Sequence, residues 1–477
     1  MRGCVLRCLP LLFVVSSLNA QQAPSSDAAF WWLAGGLSDA RIERLAADPK
    51  MSCHATAVCA RALQKAGASA SLIQRLTKPA ADPACNCSGS AAQVAALVHE
   101  KKFDAAESKV RALLRDDARN PWLHFVLGTV LREQGHFEEA FDEFSESSRL
   151  MPGFPETHNQ LSYLFYRLDD DDNALAEART ALSMDPRNAE AYRYLGLALY
   201  ADGHYDAALN AFQESLNREP NNADVYYDMG ITLRDQGDLR RAAIAYRHAL
   251  SLRPDFWEAH SNLGVVLHDQ GRLDEAVVEY REAKRLNPQE ASIRNNLGNT
   301  YCDKGEFDRA IVELQELYRQ SVGWEAGHSC LARAYMAKRD YPSAIRELQA
   351  AIRANPTGAA EHRVLGQALL LSGRDQEAVA ALRKAVALNP DSALAHHYLG
   401  TALVNTQQLA EAEKEFREAL RLDASAQNHY SLAACLVALN RYEEALGELE
   451  IASRMDPSQD LYRARMQEVV RLITTTK

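Results

Sequence analysis

Residues 257–290 read WEAHSNLGVVLHDQGRLDEAVVEYREAKRLNPQE. Leu263, Leu267 and Tyr280 are large and apolar, Gly264 and Ala276 are small, Gly271 falls near the middle and Pro288 near the end. The apolar residues recur at helical rather than strand spacing. Gly271 suits the turn between two helices, because glycine tolerates a left-handed backbone. Pro288 cannot continue a helix and stiffens the exit. The stretch is read as two antiparallel helices. The small residue at its eighth position is expected to face the alanine at its twentieth, so that the helices approach closely.

The same pattern repeats on both sides. Proline recurs at Pro152, Pro186, Pro220, Pro254 and Pro288, then at Pro356 and Pro390, every interval being 34 residues or twice that. The frame starts at 121, 155, 189, 223, 257, 291, 325, 359 and 393, with a tenth unit from 426 to Pro457. Position 7 is large in every copy, from Leu127 through Met229 to Leu432, and position 8 is glycine, Ser162, Ala332 or Ala433. Position 20 is alanine in all ten. Val322 replaces the expected proline in unit 291–324, and unit 393–425 is one residue short; a local change of curvature is expected at both.

These residues resemble the tetratricopeptide repeat, whose pattern sets Leu-Gly at positions 7–8, Ala at 20, a large residue at 24 and Pro at 32. The resemblance covers residues 121–457 and extends more weakly over 87–120. It implies an all-α solenoid, a right-handed superhelix of antiparallel helix pairs that binds protein or peptide partners on its concave face. One unit cannot bury its own apolar faces, so stability comes from stacking. The segment 458–477 reads as a helix that caps the last unit.

The family's groove is lined by positions 2, 5, 9 and 12 of the first helix. The resemblance therefore puts Asn159, Tyr163, Tyr166, Arg193, Tyr200, Tyr227, Arg234, His268, Asn295, Asn299, Arg333, Arg363, Gln367 and His397 on the partner-binding face. Tyrosine and arginine dominate interface hot spots. The family's chaperone-tail binders pair Lys at 5 with Asn at 9; no unit here has that pair, since Asn299 stands with Asn295.

The flanking segment has another rhythm. Residues 1–20, MRGCVLRCLPLLFVVSSLNA, combine Arg2 and Arg7, an apolar run from Leu9 to Leu18, and Ala20 at a cleavage position. This reads as a secretory signal peptide, too short in its apolar run to span a bilayer. An exported, periplasmic or extracellular protein is expected, with no integral membrane segment after cleavage. Residues 21–86 read as a small helical segment with a linker from Pro79 to Gly89. Ser38 can cap a helix with Ile42 and Leu45, a second carries Ala60 and Leu63 and ends near Gly67, and a third carries Leu72, Ile73 and Leu76. Phe30, Trp31 and Trp32 precede them and supply bulk. Disulfides are expected among Cys53, Cys59, Cys85 and Cys87, with three pairings open. A metal site with His54 is the alternative. Cys302, Cys330 and Cys435 fall on first helices and read as buried thiols.

Composition narrows the function. The 477 residues carry 64 acidic and 53 basic side chains, for a net charge of −11, which argues against nucleic acid as a partner. Seven histidines occupy position 4: His124, His158, His260, His328, His362, His396 and His429. Neighbouring helices lie roughly 8–10 Å apart, too far for these to share one zinc ion, so the position reads as a half-buried ring, as Tyr192 and Tyr226 are. The run Asp169 to Asp172 reads as a solvated turn. No catalytic motif, metal site or cofactor site is expected, and no stretch outside the repeats could form a catalytic domain. The sequence reads as an exported, non-catalytic scaffold for protein or extended peptide. An assembly or export factor of a cell-envelope secretion machine and a carbohydrate-binding accessory protein are the alternatives.

Overall fold

The computed structural model describes residues 28–46, 59–76, 89–320 and 327–476. Residues 1–20, Cys53, His54, Cys85, Cys87, the span 79–88 and Val322 lie outside them. The described residues form 27 helices and no strand. They divide into two compact units, Met1–Arg241 and Ala242–Lys477.

The first unit opens with α1 (Ala28–Ala34), α2 (Asp39–Ala46), α3 (Ala60–Lys65) and α4 (Ala70–Leu76). Phe30, Trp31 and Trp32 are themselves helical, forming α1 rather than preceding the first helix. Ser38 Oγ accepts the Arg41 backbone N–H at the start of α2. The helix pair α5 (Ser90–His99) and α6 (Phe103–Asp116) precedes α7 (Pro121–Gln134), α8 (Phe137–Leu150) and α9 (Pro155–Arg167). The N-terminal helices have no separate core. Phe30, Trp32, Ile42, Leu63 and Leu72 share one apolar cluster with Phe125, Val126, Phe154 and Leu164. Trp32 meets the edge of Trp122 at 6.3 Å between centroids, and Phe154 lies edge-on to Trp122 at 4.8 Å and to Phe125 at 5.2 Å. Edge-to-face packing suits the ring quadrupoles.

Each repeat is a hairpin of two helices, such as Trp257–Asp269 and Leu273–Leu286. The turn between them needs a left-handed residue at position 15, and Gly271 supplies it at φ +73°. Where glycine is missing, Asp169, Arg339, Gln407 and Asn440 adopt the same conformation, as does Lys101 between α5 and α6. Residues 89–120 thus close their turn as the other units do. The acidic run resolves similarly: Asp169 makes the turn and Asp170 caps the next helix by accepting the Asn173 N–H. The first helices are capped from the end of the preceding unit. Asn120, Asn188, Asn222 and Ser392, all at position 34, accept backbone N–H groups two or three residues on.

Inside the hairpin two small positions recur. The alanines at position 20 are buried in every copy, at 0% exposure. The small residue at position 8, however, sits against the large side chain at position 24. A Cβ placed on Gly264 would lie 2.7 Å from Tyr280, one on Gly400 2.8 Å from Phe416, and one on Gly128 2.9 Å from Phe144. Unit 155–188 reverses the pair: position 24 is Ala178, and Ser162 fits at position 8, donating to the Ala174 carbonyl at 2.8 Å.

In the second unit the closing helix Asp460–Thr476 buries Tyr462 and Val469. Cys302 and Cys330 are not buried thiols. They form a disulfide with Cα atoms 6.0 Å apart, joining the first helices of consecutive units. Both lie on the sides that neighbouring helices turn toward each other, so their approach follows from stacking. Cys435 is a free, buried thiol, with its pKa pushed up to about 11 by burial. Cys59 is disulfide-bonded.

Candidate functional site

Position 4 is a polar joint rather than a plain packing ring. His124, His158, His260, His328, His396 and His429 each place Nδ1 at 2.6–2.7 Å from a glutamate at position 23, on the second helix of the same hairpin. In several units Nε2 also meets a backbone carbonyl of the preceding unit, as His260 meets Pro254 at 3.1 Å and His396 meets Pro390 at 3.0 Å. His362 has alanine at position 23 and keeps only the carbonyl contact, to Pro356 at 3.2 Å. Among the described residues no group of three or more His, Cys, Asp or Glu could hold a metal ion. Nor is any helix among them long and apolar enough to cross a membrane.

In the first unit the candidate face centres on Tyr163. Its ring centroid lies 5.8 Å from that of Tyr194 and 6.4 Å from that of Tyr166. The guanidinium carbons of Arg132 and Arg167 stand 5.6 and 5.8 Å from the same centroid. Arg167 Nη1 donates to the Tyr163 hydroxyl at 2.9 Å, and its guanidinium covers the Phe137 ring at 4.6 Å. Arg132 donates to Gln160 and, at 2.5 Å, to Glu133. Arg193 Nε donates to Asp228 at 2.6 Å. Burial opposes the Arg193 charge, but Asp228 and Asp224 outweigh it and raise the guanidinium pKa further. Arg132, Arg167, Arg193, Tyr163 and Tyr194, with Glu133, Gln134, Gly135 and Phe137, line a hollow of about 430 Å³. Tyr200 donates to Asp235 at 2.5 Å, and Arg234 pairs with the same carboxylate at 2.9 Å. Tyr227 is half-buried.

Asn159 is a correction. It is 0% exposed and therefore not on an open face. It lies one turn from Glu156, which Arg41 of α2 engages together with Asp185. Ser38 and Arg44 reach Glu219 at 3.1 and 3.5 Å. The N-terminal helices thus take up part of the face that the repeat pattern assigns to a partner. Position 5 of unit 121–154, Phe125, is likewise covered, lying directly against Gly35.

In the second unit, Asp303 joins two candidate residues: its oxygens accept from His268 at 3.0 Å and from Arg333 at 2.9 Å. Burial would raise the Asp303 pKa, but these two partners hold it below its usual value. Asn299 donates to Asn295 at 3.4 Å. His397 Nδ1 contacts Asn428 Oδ1 at 3.0 Å, and burial lowers its pKa. Arg363 and Gln367 are half-buried. Sequence reasoning missed Arg132, Arg167 and Tyr194. Arg132 stands at position 12 of unit 121–154, a lining position, so its register was a usable signal; Arg167 stands at position 13 and gave none.

Family models described as Tetratricopeptide repeat match residues 94–150, 227–291 and 331–393, and also 189–222 and 291–319. A model described as Anaphase-promoting complex, cyclosome, subunit 3 matches residues 372–452. No curated protein matches the chain. Among solved structures, pilF of Pseudomonas aeruginosa is 20% identical over 47% of this chain and 99% of that one, with a TM-score of 0.39. The APC/C hetero-tetramer Cut9–Hcn1 is 15% identical over 93% of this chain and 90% of that one, at 0.43. YrrB, described as a TPR protein with an unusual peptide-binding site, is 23% identical over 41% and 97%, at 0.33. With helix pairs in one register along both units and repeat models matching along the chain, the protein belongs to the tetratricopeptide repeat family.

Proposed function

We propose that this chain is an exported, non-catalytic scaffold that binds a protein or extended peptide along the concave face of its repeats. At the coarser level, tetratricopeptide repeats make a protein–protein interaction scaffold. One observation carries the finer reading. The first-helix face of the first unit gathers Tyr163, Tyr194 and Arg193 around a hollow, with Tyr166 beside Tyr163, and these residue types anchor protein interfaces. Two features support export: the signal-like residues 1–20, and the disulfide between Cys302 and Cys330, a bond that persists in oxidising compartments.

The test is to express the full chain, fractionate the cells, and sequence the N-terminus of the product. Partners are then recovered with wild-type protein and with a variant carrying Tyr163→Ala, Tyr166→Ala and Tyr227→Ala. A partner retained by the wild type and lost by the variant, with helicity unchanged by circular dichroism, supports the concave-face reading. A partner indifferent to the three substitutions refutes it. Retention of an uncleaved product in the cytoplasm refutes export.

A further inference from the structure

The pairing of positions 4 and 23 breaks once along the array. Six histidines and Arg294 at position 4 meet a glutamate at position 23. Tyr192 and Tyr226 stand instead with Ala211 and Ala245, the wide ring complementing the small partner. Unit 359–392 has a histidine, His362, and an alanine, Ala381, so neither side fills the space. A crevice of about 460 Å³ lies there, between the second helices Tyr341–Ala354 and Asp375–Leu388. Its apolar walls come from Ile352, Leu365 and Leu369. His362, Leu365 and Leu369 occupy positions 4, 7 and 11 of the first helix. At about 100° per residue, that is the side opposite positions 2, 5, 9 and 12. The crevice is thus separate from the candidate partner-binding face described above.

Two more carboxylates are missing from the same place. Position 26 is Glu146, Glu282 and Glu418 in the units of His124, His260 and His396, where each carboxylate interacts with the ring. In unit 359–392 it is Lys384. Glu146, Glu282, Glu316 and Glu418 also hold an arginine at position 29. Unit 325–358 has Ala350 at position 26, and its Arg353 pairs with no carboxylate among the described residues; nor does Lys384. His362 meets the Pro356 carbonyl through Nε2, and its Nδ1 has no partner among them. The carboxylate that does line the crevice, Glu377, is held by two nitrogens of Arg374, and that arginine lowers its pKa. His362, Arg353 and Lys384 therefore line a space from which the carboxylates of the other units are absent.

The neighbouring hairpins show what such a histidine takes. We propose that this crevice binds a partner polypeptide through an Asp or Glu side chain, which stands in for the position-23 glutamate beside His362, Arg353 and Lys384, with an adjacent aliphatic side chain against Leu365 and Leu369. A recess of this volume holds one side chain and its neighbour. The inference needs only the protein-scaffold reading of the repeats and is independent of the concave face.

The probe is a short labelled peptide carrying Glu-Leu pairs, compared with the same peptide bearing Gln for Glu, by fluorescence anisotropy with the full chain. The Glu peptide should bind about tenfold tighter. Ala381→Glu restores the pattern of the other histidine units, fills the crevice from within and should abolish binding, whereas Ala381→Ser adds no carboxylate and should retain it. Arg353→Gln and Lys384→Gln should each reduce the preference for Glu. Arg454→Gln, at position 29 of the last unit and exposed, should not. Circular dichroism checks that each variant is folded. Absent or equal binding of the two peptides overturns the proposal, as does undiminished binding to Ala381→Glu. An equal loss in Arg454→Gln would mark a general charge effect and overturn it too. Displacement by octanoate, but not by acetate at matched ionic strength, would make the crevice a fatty-acid site and refute the choice of a polypeptide. Loss of the peptide from the variant lacking Tyr163, Tyr166 and Tyr227 would move its site to the other face and sink this inference, leaving the concave-face reading standing.

Discussion

Replacing Gly264 with alanine tests the packing rule of the hairpin. In an exposed helix interior the change stabilises by about 1 kcal/mol, because alanine loses less backbone entropy. Here the added methyl would lie 2.7, 2.8 and 2.9 Å from Cε1, Cδ1 and Cζ of Tyr280. Carbon contacts are comfortable at about 3.5–4.0 Å, so the ring must retreat by roughly 1 Å. Tyr280 is only 2% exposed, and such overpacking costs about 1–3 kcal/mol. Subtracting the helix gain leaves a net loss of roughly 1 kcal/mol. Repeat arrays need not unfold in one step, so the readout is hydrogen exchange along helix Trp257–Asp269 in the intact chain. Protection there should fall about fivefold. In a Tyr280→Ala background, which copies the Ala178 of unit 155–188, the same substitution should raise protection instead. A rise in the wild-type background would show that the seam is loose and that the glycine at position 8 answers to something else.

Three further outcomes are expected. Arg41→Ala leaves Glu156, whose side chain is 1% exposed, without its guanidinium, and loss of one partner from a buried pair costs about 3–5 kcal/mol; limited proteolysis should then cut within α2, and resistance equal to wild type would dismiss the ion pair as an anchor. Burial opposes the charge of His260, but Glu279 at 2.6 Å and the Pro254 carbonyl outweigh it and raise its pKa. Its stabilising contribution is therefore complete below the unfolded value of about 6.5 and lost as pH rises through the folded value. The difference in Tm between wild type and His260→Asn should narrow as the pH rises above about 6.5, and a widening gap would reverse the sign. Alkylation of denatured, unreduced protein should label Cys435 and leave the Cys302 and Cys330 peptides unlabelled until a reductant is added; labelling of all three at once would rule the cross-link out.

What was legible in the sequence follows from periodicity. Alanine at position 20, the turn at position 15 and the proline exits recur every 34 residues, so each copy reinforces the next. The same regularity carried the histidines but hid their partners, because glutamate at position 23 looks like any other solvated acid on a second helix. Contacts without a repeat were invisible. Arg41 meets Glu156 across 115 residues, and nothing in the spacing of either announces the other. Asn159 was assigned to the groove by register alone, and register does not record that α2 already occupies that neighbourhood. Cys302 and Cys330 stand at positions 12 and 6 of consecutive units, different places in the frame that become neighbours only when two first helices stack. Register named Tyr163, Tyr166 and Arg193 but not Tyr194, at position 6, nor Arg132, at position 12, and Arg167 sits one residue outside the lining positions.

The cross-link also sets how the molecule bears mechanical load. A solenoid pulled by its ends can peel one hairpin at a time, each releasing its full length of chain. Cys302 and Cys330 are separated by 28 residues, and a tensile path through a covalent bridge bypasses everything between its ends. Those residues, which include the second helix of unit 291–324, would stay slack while their neighbours extend. At roughly 3.4 Å per residue, about 90 Å of contour would be withheld until the bond is reduced. A stretched chain would thus keep the helix Phe307–Gln320 in reserve.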